Sequence, residues 1–521
     1  MKTPRLRLLL TILLVLGAGR IRAGGSPWED VPLDSWIYDA VFELSSQGEF
    51  RSLLLHTRPY TRGEIAAAVA DMTTTASLSQ GARCLWARLR QEFAEELATG
   101  ASGGNQQPGD RVRLAVGPGM RLDQFCHGYA KNRVGLDLAG SYSASDHLTA
   151  RTRVRIDSDG RHDTQFHGEY WKEKFTAWVD QAVITGRFGR LRAAFGREFW
   201  RWGPSPIDAM LISDHSPSFD GLRLTYRGRR WAFSFHATRL ESMGTDPTDP
   251  DEPAGVADRY LVGHRLDWRP RHNLEFAFSE VLVFGGVDRR WPFYYMNPLL
   301  PYYWEQLNND VNDNPLWSVE GSWRPYPGLA LYGEWLIDDF QIDFVSEPQQ
   351  IGVTGGIAWT PNAADRRLFL NVEYQRINTF VYGQGRSWNR FMHGRDYTGK
   401  AIGIGSDLGT DADRMTLRPR YHLSATVDLT ALAEHIRRGS NRIDTPQEGS
   451  VPKHVAFPSG VVERHARVGA GLRVNIRARL VGECQAGYDR VRNAENVPGC
   501  THEGLFVRLQ LQGFWWKTFA M

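Results

Sequence analysis

The strongest constraint on this chain is a period of two, sustained for roughly nine to thirteen residues at a time from about Arg111 onward. In "ARVGAGLRVNIRARLVG", Val468, Ala470, Leu472, Val474, Ile476, Ala478 and Leu480 share one face. Arg467, Gly469, Gly471, Arg473, Asn475, Arg477 and Arg479 share the other. "RRLFLNVEYQR" sets Leu368, Leu370, Val372 and Tyr374 against Arg367, Phe369, Asn371, Glu373 and Gln375. "HLSATVDLTAL" and the closing "LFVRLQLQGFWW" repeat the pattern. Side chains alternate across a strand, so these segments are strands with one apolar and one polar face. About 16 of them fit before the C-terminus.

Two architectures bury a single apolar face. A soluble sandwich or propeller turns it inward, whereas an outer-membrane barrel turns it toward lipid. The polar face here is crowded with Arg, Glu, Asp, Asn and Gly, which suits a lumen and not a dry core. Tilted strands of this length cross a bilayer. These features favour the barrel, and they make most strand Arg and Asp residues lumen charges.

The N-terminus agrees. "MKTPRLRLLLTILLVLGAGRIRAGG" carries Lys2, Arg5 and Arg7, an apolar run from Leu8 to Leu16, then small residues with a cut after Ala23. This is the pattern of a secretory signal peptide, 1–23. From Val31 to about Leu97 the period is helical. Ile37, Val41 and Leu44 share a face, with Asp34 as an N-cap and Gly48 as a stop. Thr61 and Glu64 have capping-box spacing. Leu85, Leu89, Phe93 and Leu97 stand four apart. We expect three short helices in a small bundle, then a Gly-rich linker at 99–109. The divisions are 24–108 for bundle and linker and 109–521 for the barrel.

Composition narrows the function classes. The net charge of +3 argues against a nucleic-acid binder. Of 62 basic residues only seven are lysines, so arginine supplies 55. Arginine suits bidentate carboxylate contacts and aromatic stacking, although genomic composition bias alone gives the same surplus. Cys484 and Cys500 flank a segment that places them across a long hairpin, which does not by itself establish a disulfide. Cys84 and Cys126 are far apart.

Several stretches resemble one family. "VPLDSWIYDAVFELSSQGEF" with "TRPYTRGEIA" looks like the N-terminal signature of the Wzi capsule assembly family. "GREFWRWGPS" with "LISDHSPSFDGLRL" is similar to its Gly-Arg, Trp-Gly-Pro and Ser-Asp run. "RYLVGHRLDWRPRHNLEFAFSEVLVFGG" and the segment from "YYMNPLLPYYWEQ" to "GEWLIDDFQ" continue the likeness, from about Val31 to about Ile342. The chain departs from the family pattern at His215, Ser216, Pro217 and Phe219. The resemblance implies a mainly β fold: a transmembrane antiparallel outer-membrane barrel of about 18 strands, preceded by a periplasmic helical bundle. It also implies a non-enzymatic, lectin-like protein that holds capsular or other extracellular polysaccharide at the cell surface.

Candidate contacts follow from what sugars need. Aromatic faces stack on sugar rings, and Arg or Asn meets carboxylates and hydroxyls. Trp200, Arg201, Trp202, Asp214, His215, Tyr294, Tyr295, Asn297, Tyr302, Tyr303 and Trp304 are the candidates. Membrane-interface girdles use the same aromatics. Trp200 and Trp202 share a strand face with Arg201 opposite, unless Gly203 and Pro204 bend the chain. "SDHS" at 213–216 invites a hydrolase reading, but adjacent strand residues point apart and no G-x-S-x-G elbow occurs. "IDSDGRHDTQFH", with Asp157, Asp159, His162, Asp163 and His167, starts like a calcium loop but lacks the closing Glu. The acidic loop 244–258 reads as a solvated loop. No cofactor or metal is expected. The expected partners are the polysaccharide, outer-membrane lipid and periplasmic export components. A diffusion porin is the main alternative, and an outer-membrane hydrolase the lesser one.

Overall fold

The computed structural model describes residues 27–72, 78–101, 110–125, 130–144, 147–160, 163, 165–166, 168, 175–245, 252–339, 348–361, 367–383, 385–396, 399–445, 455–477 and 480–520. The signal sequence, most of the linker at 99–109, Cys126, His162, His167 and residues 246–251 of the acidic loop lie outside them.

The period-two segments form 18 antiparallel strands that close into one barrel. They begin with β1 (Arg111–Phe125), β2 (Ala130–Ala144), β3 (Leu148–Asp157), β4 (Thr176–Phe188), β5 (Leu191–Glu198) and β6 (Phe219–Arg227). β7 (Trp231–Gly244), β8 (Val256–Arg271), β9 (Leu274–Val287), β10 (Asn314–Tyr326), β11 (Leu329–Asp339) and β12 (Gln350–Trp359) follow. β13 (Leu368–Ile377), β14 (Ala412–His422), β15 (Val427–Arg438), β16 (Glu463–Arg477) and β17 (Leu480–Arg492) lead to the last strand. That strand, β18, runs Thr501–Gly513 and continues as Trp515–Ala520. Both of its pieces pair with β1, which closes the wall.

Neighbouring strands alternate short and long connections. Turns such as 189–190, 272–273 and 327–328 lie at one end; 199–218, 288–313 and 378–411 lie at the other. Outer-membrane barrels keep short turns on the periplasmic side. Tyr226, Trp231, Trp268, Trp323 and Trp359 are exposed near the short-turn end. They form an aromatic belt of the kind that flanks a lipid-facing band. Among the described residues no helix is long and apolar enough to cross a membrane.

The N-terminal segment forms four helices: α1 (Ile37–Ser46), α2 (Arg62–Ala70), α3 (Gln80–Glu92) and α4 (Ala94–Ala101). Ile37, Val41, Leu44, Leu85, Leu89 and Phe93 bury their apolar stripe in one core. The capping box forms: Glu64 N donates to Thr61 Oγ1 (3.1 Å) and Thr61 N to Glu64 Oε2 (2.8 Å). Two expectations are corrected. The helical stretch 80–101 breaks at Phe93, which gives four helices in place of three. Asp34 is not an N-cap, since Trp36 holds that position; its carboxylate meets Arg153 at 2.9 Å instead.

The bundle plugs the short-turn end. Arg88 bonds Asp428 (2.8 Å), Arg420 bonds Asp39 (2.7 Å), and Arg324 reaches the Ser45 carbonyl (3.4 Å). The segment 55–58 climbs further into the lumen. Leu55 N donates to Glu275 (2.6 Å) and Thr57 Oγ1 to Asp267 (2.8 Å). Cys84, Cys484 and Cys500 are free thiols, so no disulfide joins Cys484 to Cys500. The calcium-loop carboxylates Asp157 and Asp163 both pair with Arg133, which already supplies their countercharge.

Candidate functional site

The connection 199–218 does not stay outside as an ordinary loop. It turns into the lumen and meets the climbing plug segment. Thr57 pairs with Trp202 and Arg58 with Arg201 in a two-residue ladder. Trp202 N donates to the Ile212 carbonyl (3.0 Å), and Gly203 N to that of His56 (2.9 Å). Gly203 has φ +152°, and a Cβ there would lie 3.0 Å from the Ala209 methyl. This is the bend that the Gly-Pro pair allows.

The alternation predicted for the two tryptophans holds locally. Both rings meet the His236 imidazole edge-on, with centroids 4.0 and 4.8 Å away. Arg201 points elsewhere and donates to Asp214 Oδ1 (3.1 Å) and the Ser205 carbonyl (2.8 Å). Trp200 also stacks on Phe219 at 4.8 Å. At 1% and 0% exposure, Trp200 and Trp202 offer no face to solvent. Their role in the fold is to build the dry core shared by the inserted loop and the barrel wall.

Beneath the mouth lies a polar cluster. Asp208 accepts from Ser213 Oγ (2.9 Å), Ser406 Oγ and Arg414 (3.3 Å). Arg414 also donates to Asp407 (2.9 Å). Ser205 Oγ donates to Glu373 (2.6 Å). The Tyr382 hydroxyl donates to the Met210 carbonyl (2.5 Å). The Ser406 and Tyr382 bonds tie 199–218 to the long connection 378–411, and the Glu373 and Arg414 bonds tie it to β13 and β14.

Asp208, His215 and Asp407 stand close enough to share a metal ion. The Arg414 guanidinium already occupies both carboxylates, which opposes a dication there. Ser213 is buried and its hydroxyl donates to a carboxylate, so no imidazole is placed to take its proton.

His215 is the most solvent-facing group of this set, with its side chain 42% exposed. Burial opposes its charged form, but Asp407, Asp208 and Asp214 outweigh that and raise its pKa above the usual 6.5. A raised folded pKa stabilises the fold below the ordinary imidazole value, and that stabilisation is lost as pH rises through the folded pKa. Solvent screening keeps the effect below ~1 kcal/mol. His215→Ala is therefore expected to lower Tm at about pH 5 and to converge on the parent at about pH 9. Thermal unfolding in detergent across that range is the check, and a pH-independent difference would contradict it.

The remaining candidates lie elsewhere. Glu280 pairs in register with His264 and Trp317, and these three face outward, opposite to Ser279, which bonds Arg265 inside. The connection 288–313 folds back over this outer wall. It carries a short helix, α5 (Tyr302–Asn308). Tyr302 N and Tyr303 N both donate to Glu280 at 3.0 Å, and His264 Nε2 lies 3.1 Å from it. Tyr295 and Tyr302 are buried against Val262, Leu282 and Phe284. Tyr295 donates to Asp313 (2.7 Å). Tyr294 is half-buried, while Asn297, Tyr303 and Trp304 are exposed. Phe293 is 90% exposed.

The candidate residues thus form two separate groups. Trp200, Arg201, Trp202, Asp214 and His215 converge inside the lumen. Tyr294, Tyr295, Asn297, Tyr302, Tyr303 and Trp304 sit together on the barrel's exterior. Sequence reasoning missed Asp208, Glu334, Glu373, Tyr382, Ser406, Asp407 and Arg414. They lie on five separate elements, and only the polar-face parity of Glu373 was visible.

The family described as Capsule assembly protein Wzi matches residues 122–503. Among solved structures, the chain is similar to Wzi of Escherichia coli, an outer-membrane protein involved in group 1 capsule assembly and described as a carbohydrate-binding β-barrel. The identity is 14% and the TM-score 0.60, over 93% of this chain and 99% of that one. OccAB4 of Acinetobacter baumannii gives 10% identity and a TM-score of 0.44, over 80% and 100%. OccD3 of Pseudomonas aeruginosa gives 10% and 0.46, over 79% and 93%. No curated protein matches the sequence.

Proposed function

The chain belongs to the capsule assembly protein Wzi family, and from that premise we propose that it retains an extracellular polysaccharide at the cell surface by non-covalent binding. The fold is an outer-membrane β-barrel. The carbohydrate binding described for the Escherichia coli barrel supports the reading.

The observation that carries it is the locked insertion of 199–218. A transporter needs an open path and an enzyme needs an available nucleophile or acid. Here the inserted loop is bonded to the plug through Trp202 and Gly203 and to the wall through Ser205 and Glu373. Its Ser213 is buried, with the hydroxyl donating to Asp208. Such an arrangement suits a static scaffold. The helices face the periplasm in this reading, where they meet export components, and the long-loop end faces outward. A repeating polymer engages many copies, so weak single sites suffice through avidity.

Deleting the gene is expected to move polysaccharide from the cell surface into the medium, read by quantifying both fractions. Unchanged retention would overturn the proposal. Purified protein in planar bilayers should give no steady large currents. Persistent porin-like conductance would favour the diffusion reading instead.

A further inference from the structure

The plug fills only part of the lumen. On β8 to β11 the inward residues are dry: Arg265, Asp267, Ser279 and Ser318 are at 0% exposure. On the opposite wall, register identifies the inward residues. Asp428 faces inward because Arg88 of the plug bonds it. It lies opposite Arg473, which lies opposite Glu483, then Gln510, then Arg121. Residues directly opposite in a ladder share a face. The same reasoning places Arg467, Gln485, Asp489 and Arg508 inside.

This second wall is wet. The Arg121 side chain is 39% exposed, and Arg467, Arg473 and Arg508 are half-buried. Gly469 lies opposite Gly487 beneath the Phe506 ring, and Gly119 lies opposite Gly135. A Cβ added at Gly119 would meet nothing within 4 Å. At the short-turn end a cavity of about 170 Å³ lies between plug and wall, bordered by Arg473, Glu483, Gln510 and Gln512 on the wall and by Glu29 and Asp34 on the plug.

The charge of this wall is not balanced. Arg121 and Arg508 share the single carboxylate of Asp123, at 2.9 and 2.7 Å. Arg467 and His465 share Asp489. Arg418 faces inward on β14, and its charge acts with those of Arg420 and Arg473 on Asp39 of the plug. Each guanidinium keeps donors free in a partly enclosed site, where screening is weaker than at an open surface.

We propose that this arginine-lined gallery, formed by β14 to β18 and β1 and open at Gly119, binds a segment of carboxylate-bearing polysaccharide inside the barrel. The claim deepens the retention reading and rests on it, because it gives that reading a ligand class and a binding surface. Guanidinium groups receive uronate carboxylates in paired, charge-assisted hydrogen bonds. Gly119 leaves open space against the backbone for a sugar ring. Arg467 carries its guanidinium 5.5 Å from the Phe506 ring centre, and that ring covers Gly469 and Gly487.

The test uses the full-length protein purified in detergent. The probes are polygalacturonate, galacturonate monomer and neutral dextran. The parent protein should bind polygalacturonate, with affinity that falls as salt rises, and bind dextran and the monomer at least about tenfold more weakly. Equal binding of dextran, or of the monomer, would overturn the proposal without needing any variant. The triple variant Arg121→Gln, Arg467→Gln, Arg508→Gln should lose about tenfold or more of the polymer affinity. Gly119→Trp keeps every charge and narrows the gallery, and it should lose affinity too. Variants that stay folded by circular dichroism and bind as the parent does would overturn the proposal. The two readings fail separately. If gene deletion sheds polysaccharide but cells carrying these variants retain it, the gallery falls and retention stands. If deletion changes nothing but the variants lose polygalacturonate, retention falls and the gallery stands.

Discussion

Arg265→Ala is expected to destabilise the plugged barrel by ~3–5 kcal/mol, the cost of breaking a buried ion network by removing one partner. Arg265 is wholly buried. It donates to Glu320 at 2.5 and 2.8 Å, to Asp267 at 3.0 Å and to Ser279 at 3.0 Å. Those acids also hold the plug. Asp267 accepts from Thr57 (2.8 Å), and Glu320 lies 3.2 Å from His56 Nδ1. Without the guanidinium, two carboxylates remain in a dry interior with too few donors. The climbing segment 55–58 should detach before the barrel unfolds. Thermal unfolding in detergent, with limited proteolysis around residues 55–58, reads both effects. Adding Glu320→Gln and Asp267→Asn should restore part of the loss, because the stranded charges go with them. An unchanged Tm would show that the network does not bear on stability.

The second large effect is expected at Trp202. Trp202→Ala removes a fully buried indole and should cost ~3–5 kcal/mol. The ring packs against His236 and lies 5.5 Å below the Arg265 guanidinium. Its backbone bonds both the plug and Ile212. Neither the Trp200 nor the Trp202 N–H meets an acceptor among the described residues, so these rings contribute by packing and not by polar contact. Trp304→Ala is the contrast. That ring is 65% exposed on the outer strap, and its loss should move Tm little in detergent. Because Trp202 and Arg265 touch, the double variant should fall short of the summed single effects. Equal Tm losses for Trp202→Ala and Trp304→Ala would refute this assignment of roles.

The contrast between those two tryptophans also marks where the sequence stopped being informative. Both sit in aromatic stretches beside prolines, and both fitted a sugar contact or an interface belt. Trp202 went inside because its strand parity and the Gly203 bend aim it at His236, a residue 34 positions away. Trp304 went outside because Glu280 and His264 leave an outward carboxylate and imidazole on the lipid-facing wall. The peptide N–H groups at the start of α5 cover that carboxylate. An unpaired carboxylate facing lipid is costly. That cost gives the strap a physical reason to fold back, yet nothing in the local pattern of 288–313 announces it.

The barrel and the face each strand turns inward were determined by the sequence alone. They depend on the period-two alternation, which is a local property of neighbouring residues. The capping box at Thr61 and Glu64 was legible for the same reason. The break at Phe93 was not, because Leu85, Leu89, Phe93 and Leu97 keep helical spacing across it. The free state of Cys484 and Cys500 also lay beyond spacing. Only the tertiary structure decided which connection plugs the lumen, which one wraps the exterior, and which half of the interior stays wet. Those outcomes rest on contacts such as Leu55 with Glu275 and Ser205 with Glu373, made across 220 and 168 residues. Pairings over such separations are selected by the closed wall that brings their strands together, and a one-dimensional pattern carries no record of them.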